Sequence, residues 1–177
     1  MSELNFDVLA DQSIISQARK RAEEKYSNLS LDQIRYLKRR CKSDLYFLST
    51  GPLEYTRLIP RLHGHLTNWM QENRGYQFRM FLEPRGHYKS TVITEADSVQ
   101  MALPNIDDAV QEYPYTLGPS VKILVAHEVR EKAAEFLYNI TKAFTRKPLM
   151  LALWPECIPN KNEQRINKWE LDLPGRD

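Results

Sequence analysis

The chain has 177 residues, 42% of them apolar and 27% charged. Such a composition supports one hydrophobic core and excludes a disordered, collagen-like or low-complexity chain. Lys plus Arg number 25 against 23 Asp plus Glu, a formal charge of +2, so a uniformly basic nucleic-acid coat is excluded and any contact with DNA has to be regional. Cys41 and Cys157 stand far apart without metal-type spacing, which fits a reducing compartment and no disulfide framework. No apolar run approaches the roughly 20 residues of a membrane helix, and Glu3, Asp7 and Asp11 give the N-terminus no signal-peptide character.

Residues 1–29 are polar and mixed in charge, with Arg19 to Lys25 interleaving cations and acids, and are read as an N-terminal arm carrying a solvated helix. Ser30-Leu31-Asp32-Gln33 is a capping box, so a helix starts there. The stripe Leu31, Ile34, Leu37, Cys41, Leu45 and Leu48 carries that helix to Gly51-Pro52, while Arg35, Lys38, Arg39, Arg40 and Lys42 place five cations elsewhere on its surface. Most such runs are solvated faces; contact with DNA phosphates or with an acidic subunit surface is the functional alternative.

A second helix is expected from His63 to about Asn73, and a strand over Tyr76 to Leu82, rich in β-formers. Pro84-Arg85-Gly86 ends that strand, and a helix runs from Lys89 to about Leu103. Residues 104–120 read as a surface excursion, Val121 to Ala126 as a buried parallel strand, Glu128 to Arg146 as a helix, and Lys168 to Leu173 as a last strand. The expected fold is α/β: a parallel sheet flanked by helices, behind a helical N-terminal element.

One stretch carries chemistry. A turn between strand and helix that closes on Lys89-Ser90-Thr91 aims backbone N–H groups and the positive end of a helix at one spot, which suits a polyphosphate. Lys89 would meet the β- and γ-phosphates, the Ser90 hydroxyl would take a place on Mg²⁺, and Thr91 would support the same end of the helix. The general P-loop pattern is not met, because Glu83 and Tyr88 stand where its glycines belong and Gly86 is the only glycine. The pattern alone leaves an ordinary strand-to-helix turn as an equal reading.

Pro84-Arg85-Gly86-His87-Tyr88-Lys89-Ser90-Thr91 resembles the deviant Walker A motif of the large terminase subunits of tailed bacteriophages. Asp44 to Leu48, Pro60 with His63 and Leu66, and Ile123 to Ala126 followed by Ala133 and Phe136 resemble flanking segments of that family, over roughly residues 40–173. The resemblance implies a P-loop ATPase domain over residues 30–177, with ATP and Mg²⁺ as cofactors. It implies nucleotide contacts from Arg85, Gly86, His87, Tyr88, Lys89, Ser90 and Thr91, with Ser90 on the metal, Lys89 and Arg85 serving hydrolysis, and Arg85 responding to the γ-phosphate. It implies double-stranded DNA as the translocated partner, with the portal protein, the small terminase subunit and a homo-oligomeric ring around it, in the host cytoplasm on the procapsid.

Two further parts of that family are not found. A Walker B carboxylate pair is missing: Asn105-Ile106-Asp107-Asp108 lacks the preceding apolar strand, and Asp172 is followed at once by Pro174-Gly175. The nuclease domain of large terminases has no room either. The chain is therefore expected to be the N-terminal portion of a longer protein, its own ATP turnover small or absent. A non-catalytic nucleotide-binding interaction module is the alternative, and a scaffold with an accidental turn a third.

Among lesser features, His63 and His65 diverge on a helix start and lack a third ligand, which disfavours a metal. His127 is read as a cap or surface residue rather than a nucleotide contact. Trp69, Trp154 and Trp169 are expected in packing, since no cations cluster beside them in sequence.

Overall fold

The computed structural model describes residues 4–76, 78–80, 82, 84, 86–104, 118, 121–160 and 162–174. A short helix α1 (Phe6–Ala10) and a longer one, α2 (Gln12–Tyr26), come first, with Asn5 and Asp11 accepting from the N–H groups that each helix start leaves unpaired. The capping box opens α3 (Leu31–Ser43): Ser30 Oγ accepts from the Gln33 N–H at 3.2 Å and Gln33 Oε1 from the Ser30 N–H at 2.8 Å. The expected single helix is broken at Asp44, which turns extended and caps a new helix, α4 (Leu45–Thr50), by accepting from the Phe47 N–H at 2.7 Å. Leu31, 75% exposed, falls off the buried stripe.

Pro60, with its fixed φ, starts a π-helical turn over Pro60–Gly64 that runs into α5 (His65–Glu72). A second π-helical turn, Thr91–Ala96, runs into α6 (Asp97–Ala102), so Lys89 to Ala102 is one helix with a widened first half. Such widened turns are rare and recur at functional sites. The long amphipathic helix expected after residue 128 is α7 (Arg130–Thr145), and Pro148 at a helix start opens α8 (Pro148–Leu153), which sequence reasoning leaves unassigned.

The α/β expectation is overturned. Among the described residues there is no strand, and hence no parallel sheet; the only β pairing is one antiparallel bridge between Ile166 and Leu171. Where Tyr76 to Leu82 is described it is irregular, with Tyr76, Phe78, Met80 and Leu82 between 68% and 87% exposed. Val121 to Ala126 pairs with no neighbour as a strand; Val121 and Val125 lean on the core while Leu124 is 91% exposed. Lys168 to Leu173 supplies the tip and the returning side of a tight turn closed by that bridge. Strand character requires a hydrogen-bonded partner, and apolar composition does not supply one.

A single core joins α3 and α4 (Cys41, Leu45, Leu48), α5 (Leu66, Met70), the helix after the motif (Val92, Ala96, Val99), α7 (Ile140, Phe144) and α8 (Met150, Leu153). Complete burial of one such Leu or Met stabilises by roughly 1.5–3 kcal/mol, against at most about 1 kcal/mol for an exposed ion pair, so apolar contact holds these helices together. Residues 5–26 join through α2 packing on α8 and through Phe6, whose ring meets Tyr138 of α7 edge-on at 5.3 Å. No helix among the described residues is long and apolar enough to cross a membrane. Burial pushes the thiols of Cys41 and Cys157 up to about 12, leaving both as inert core residues.

The candidate phosphate turn and its cleft

The turn is built on left-handed backbone. Gly86 has φ of 86° and Tyr88 has φ of 50°, a conformation that costs a residue with a Cβ about 1–2 kcal/mol. A Cβ placed on Gly86 would meet nothing within 4 Å, so the space beside that backbone is open to close approach by a ligand. Backbone alternating through left-handed residues into a helix start forms an anion-binding concavity of N–H groups. Helix turns begin directly after, at Lys89 and Ser90, with the Val92 N–H donating to the Tyr88 carbonyl at 3.1 Å.

Two contacts from the segment before α5 hold the turn. Arg57 donates to the Tyr88 hydroxyl at 3.3 Å. His63, 3% exposed, takes the Ile59 N–H on Nδ1 at 2.9 Å and lies with Nε2 3.2 Å from the His87 carbonyl. The His87 ring sits over its own turn, with Nδ1 3.3 Å from the Pro84 carbonyl.

Beside the turn opens a cleft of about 610 Å³, to which Tyr88, Ser90 and Thr91 contribute lining. Lys89, half-buried, does not belong to that lining, and Arg85, expected to face the γ-phosphate, lies outside the described residues. The Asp107-Asp108 pair lies outside them as well. Asp172 serves the tight turn before the chain's end: its N–H donates to the Arg165 carbonyl at 2.8 Å and its Oδ2 accepts from the Arg165 N–H at 3.4 Å.

The rest of the cleft was not legible in the motif. Glu95, 5% exposed, accepts from the Tyr55 hydroxyl at 3.1 Å and from Asn139 Nδ2 at 2.9 Å, joining three distant segments. Burial raises its carboxyl above the usual range against the lowering effect of those two donors, and burial with the nearby carboxylate also raises the Tyr55 phenol. A signal for Glu95 existed: it sits three residues after Val92 and four before Val99, an acid placed on the apolar stripe. His127 and Phe136 line the same cleft with ring centroids 6.1 Å apart, and His127 Nδ1 accepts from the Val129 N–H at 2.9 Å, at the start of α7.

Glu95 gives the fold a pH dependence. Its proton is bound more tightly in the folded chain than in the unfolded one, so its contribution is complete below the ordinary carboxyl range and is lost as pH rises through the raised value. Urea unfolding of the Glu95→Gln variant from about pH 4 to about pH 7 is expected to lose that part of the fall. An unchanged pH profile would place the carboxyl in water.

The basic run of α3 is largely engaged within the chain. Lys42 is 2% exposed and donates to the Pro104 carbonyl at 2.7 Å; Lys38 pairs with Glu156 at 3.0 Å and lies 5.8 Å from the Trp154 ring centre. Arg40 meets Asp44 at 3.5 Å and the Tyr36 hydroxyl at 3.1 Å, and Arg35 lies 3.9 Å from Asp32. Cations do gather at Trp169, contrary to the sequence reading: Arg130 lies 3.9 Å and Lys168 5.1 Å from its ring centre. Among the described residues no group of three or more His, Cys, Asp or Glu is arranged to hold a metal ion. No family model matches the chain, and neither does any curated protein or solved structure.

Proposed function

We propose that the turn at Gly86 to Thr91 binds the phosphates of Mg-ATP, and that the chain is a nucleotide-binding ATPase part of a viral DNA-packaging terminase. The observation that carries the reading is the pair of left-handed residues, Gly86 and Tyr88, set at a helix start beside a 610 Å³ cleft that Tyr88, Ser90 and Thr91 line. Strained backbone at a non-glycine residue persists only where its surroundings hold it, and it concentrates at ligand sites.

The residues present fit a polyphosphate: open space at Gly86, the Ser90 and Thr91 hydroxyls on the cleft wall, and Lys89 directly before them in the chain. Ser90 would offer its oxygen to Mg²⁺, which when bound neutralises phosphate charge. Lys89 would reach the phosphates by rotation of its four-carbon stem. Tyr55, Phe136 and His127 give the cleft aromatic surface for the nucleoside, and Glu95 on the same cleft is buried. The reading rests on the turn and its cleft, not on a sheet. In its full form it places the protein in the host cytoplasm, docked on a procapsid, acting on double-stranded DNA with portal and small terminase subunits.

Thermal melting with and without Mg-ATP tests it. At a ligand concentration about a hundred times the dissociation constant, the folded state should gain about 2.7 kcal/mol, and Lys89→Ala should abolish the gain. A melting temperature that ignores Mg-ATP, or a gain that survives Lys89→Ala, contradicts the reading. Binding without phosphate release selects the interaction-module form of it.

A further inference from the structure

The ring of His63 has two hydrogen-bonding edges, and both are in use. On one edge Nδ1 receives the Ile59 N–H at 2.9 Å and lies 3.3 Å from the Ile59 carbonyl; the shorter contact comes from an N–H that can only donate, which makes that nitrogen an acceptor. The ring proton then belongs on Nε2, which lies 3.2 Å from the carbonyl of His87, an acceptor. The imidazole thus bridges the residue before the Pro60–Gly64 turn to the peptide between His87 and Tyr88, the peptide that leads into the left-handed residue.

A trans peptide carries its C=O and N–H on opposite edges of one plane. Holding the His87 carbonyl at His63 therefore commits the Tyr88 N–H to the opposite edge. The Tyr88 side chain is held separately, its hydroxyl by Arg57 at 3.3 Å and its ring beside the His63 ring at 6.1 Å. The peptide plane is fixed at its carbonyl and the following side chain at its tip. His63 itself is 3% exposed, so its ring is held within the fold.

We propose that His63 is a positioning residue for the phosphate turn, whose Nε2–H bond to the His87 carbonyl sets the orientation of the Tyr88 N–H for anion binding. This rests on the nucleotide reading of the same turn. It gives the segment upstream of the motif a task separate from enclosing the core: the chain from Arg57 to His63 prearranges the backbone so that phosphate meets amides already aimed.

The test measures Mg-ATP affinity of the folded protein for the wild type, Lys89→Ala, His63→Leu and His63→Gln, under conditions where circular dichroism shows each to be folded. His63→Leu keeps bulk and removes the donor, so its affinity should fall roughly tenfold, whereas His63→Gln, with an amide donor, should stay within about threefold of wild type. A purely structural role would shift the unfolding midpoint of His63→Leu without moving the affinity of its folded fraction. Where His63→Leu does not fold, imidazole nitrogen resonances of the wild type decide: a neutral ring protonated on Nε2 is expected, and a ring protonated on Nδ1 overturns the proposal. If the wild type fails to bind Mg-ATP, the nucleotide reading falls and the proposal with it. If the wild type binds, Lys89→Ala does not, and His63→Leu binds as tightly as wild type, the site stands and the role of His63 is refuted.

Discussion

Asp97→Ala is expected to destabilise the fold by about 3–5 kcal/mol, as removal of one partner from a buried ion pair does. The Arg74 and Asp97 side chains are 7% and 4% exposed and are joined directly, and Arg74 also donates to Gln100. Gln100 in turn donates to the Cys41 carbonyl at 2.7 Å, so one network ties the end of α5, α6 and α3 around the core. Without Asp97 the guanidinium remains buried among neutral groups, and its desolvation is uncompensated. The double replacement Arg74→Met with Asp97→Leu should recover much of the loss, because an apolar pair of similar size has no charge to desolvate. Urea unfolding of the two singles and the double gives the coupling. Losses for Asp97→Ala below about 1 kcal/mol, the range of exposed pairs, would contradict this burial.

Trp154→Ala should cost a further 3–5 kcal/mol on its own, about as much as large aromatic deletions from a packed core. Trp154 is 1% exposed, the largest fully buried side chain, and sits where α8 ends against the core shared with α3 and α7. Its truncation opens a cavity and also strips Lys38 of the ring beneath it. Trp154→Phe retains part of the ring and should lose distinctly less. Equal losses for the two variants would show that ring volume is not what Trp154 contributes. Since Trp69 and Trp169 are 41% and 52% exposed, the blue-shifted part of the fluorescence should also vanish with Trp154.

Local signals in the chain were readable wherever the physics is local. The capping box at Ser30, the amphipathic period of α7 and the helix that follows the motif all depend on residues three or four apart. The strands expected at 76–82, 121–126 and 168–173 depended on distant partners, and an apolar run gives no information about whether a partner exists. Leu124 illustrates the point: its neighbours Val121 and Val125 reach the core, while Leu124 itself faces solvent. Asp44 shows the same limit in a helix, since the apolar stripe passes over it without a gap although its side chain caps a new start.

The candidate site divides along the same line. Gly86 to Thr91 was visible as a motif because its residues are contiguous. Tyr55, Glu95 and Asn139 were invisible as a group, being separated by 40 and 44 positions and brought together only when the helix after the motif packs on α7. The sequence places His63 in a flanking segment and disfavours it as a metal ligand, and its contact with the His87 carbonyl, 24 positions away, cannot be read from spacing. Tyr88, an awkward departure from small residues in the motif, lines the cleft with its hydroxyl held by Arg57.

The central claim is that main-chain amides of this turn receive phosphate. Amide resonances of the full chain, followed during titration with Mg-ATP, test it most directly. The account predicts that Gly86 to Thr91 shift first and furthest, with Glu95 and Asn139 following as the cleft fills, and that inorganic triphosphate moves the turn but not Asn139. Saturating Mg-ATP that leaves those six amides in place, or shifts only residues elsewhere, would contradict it.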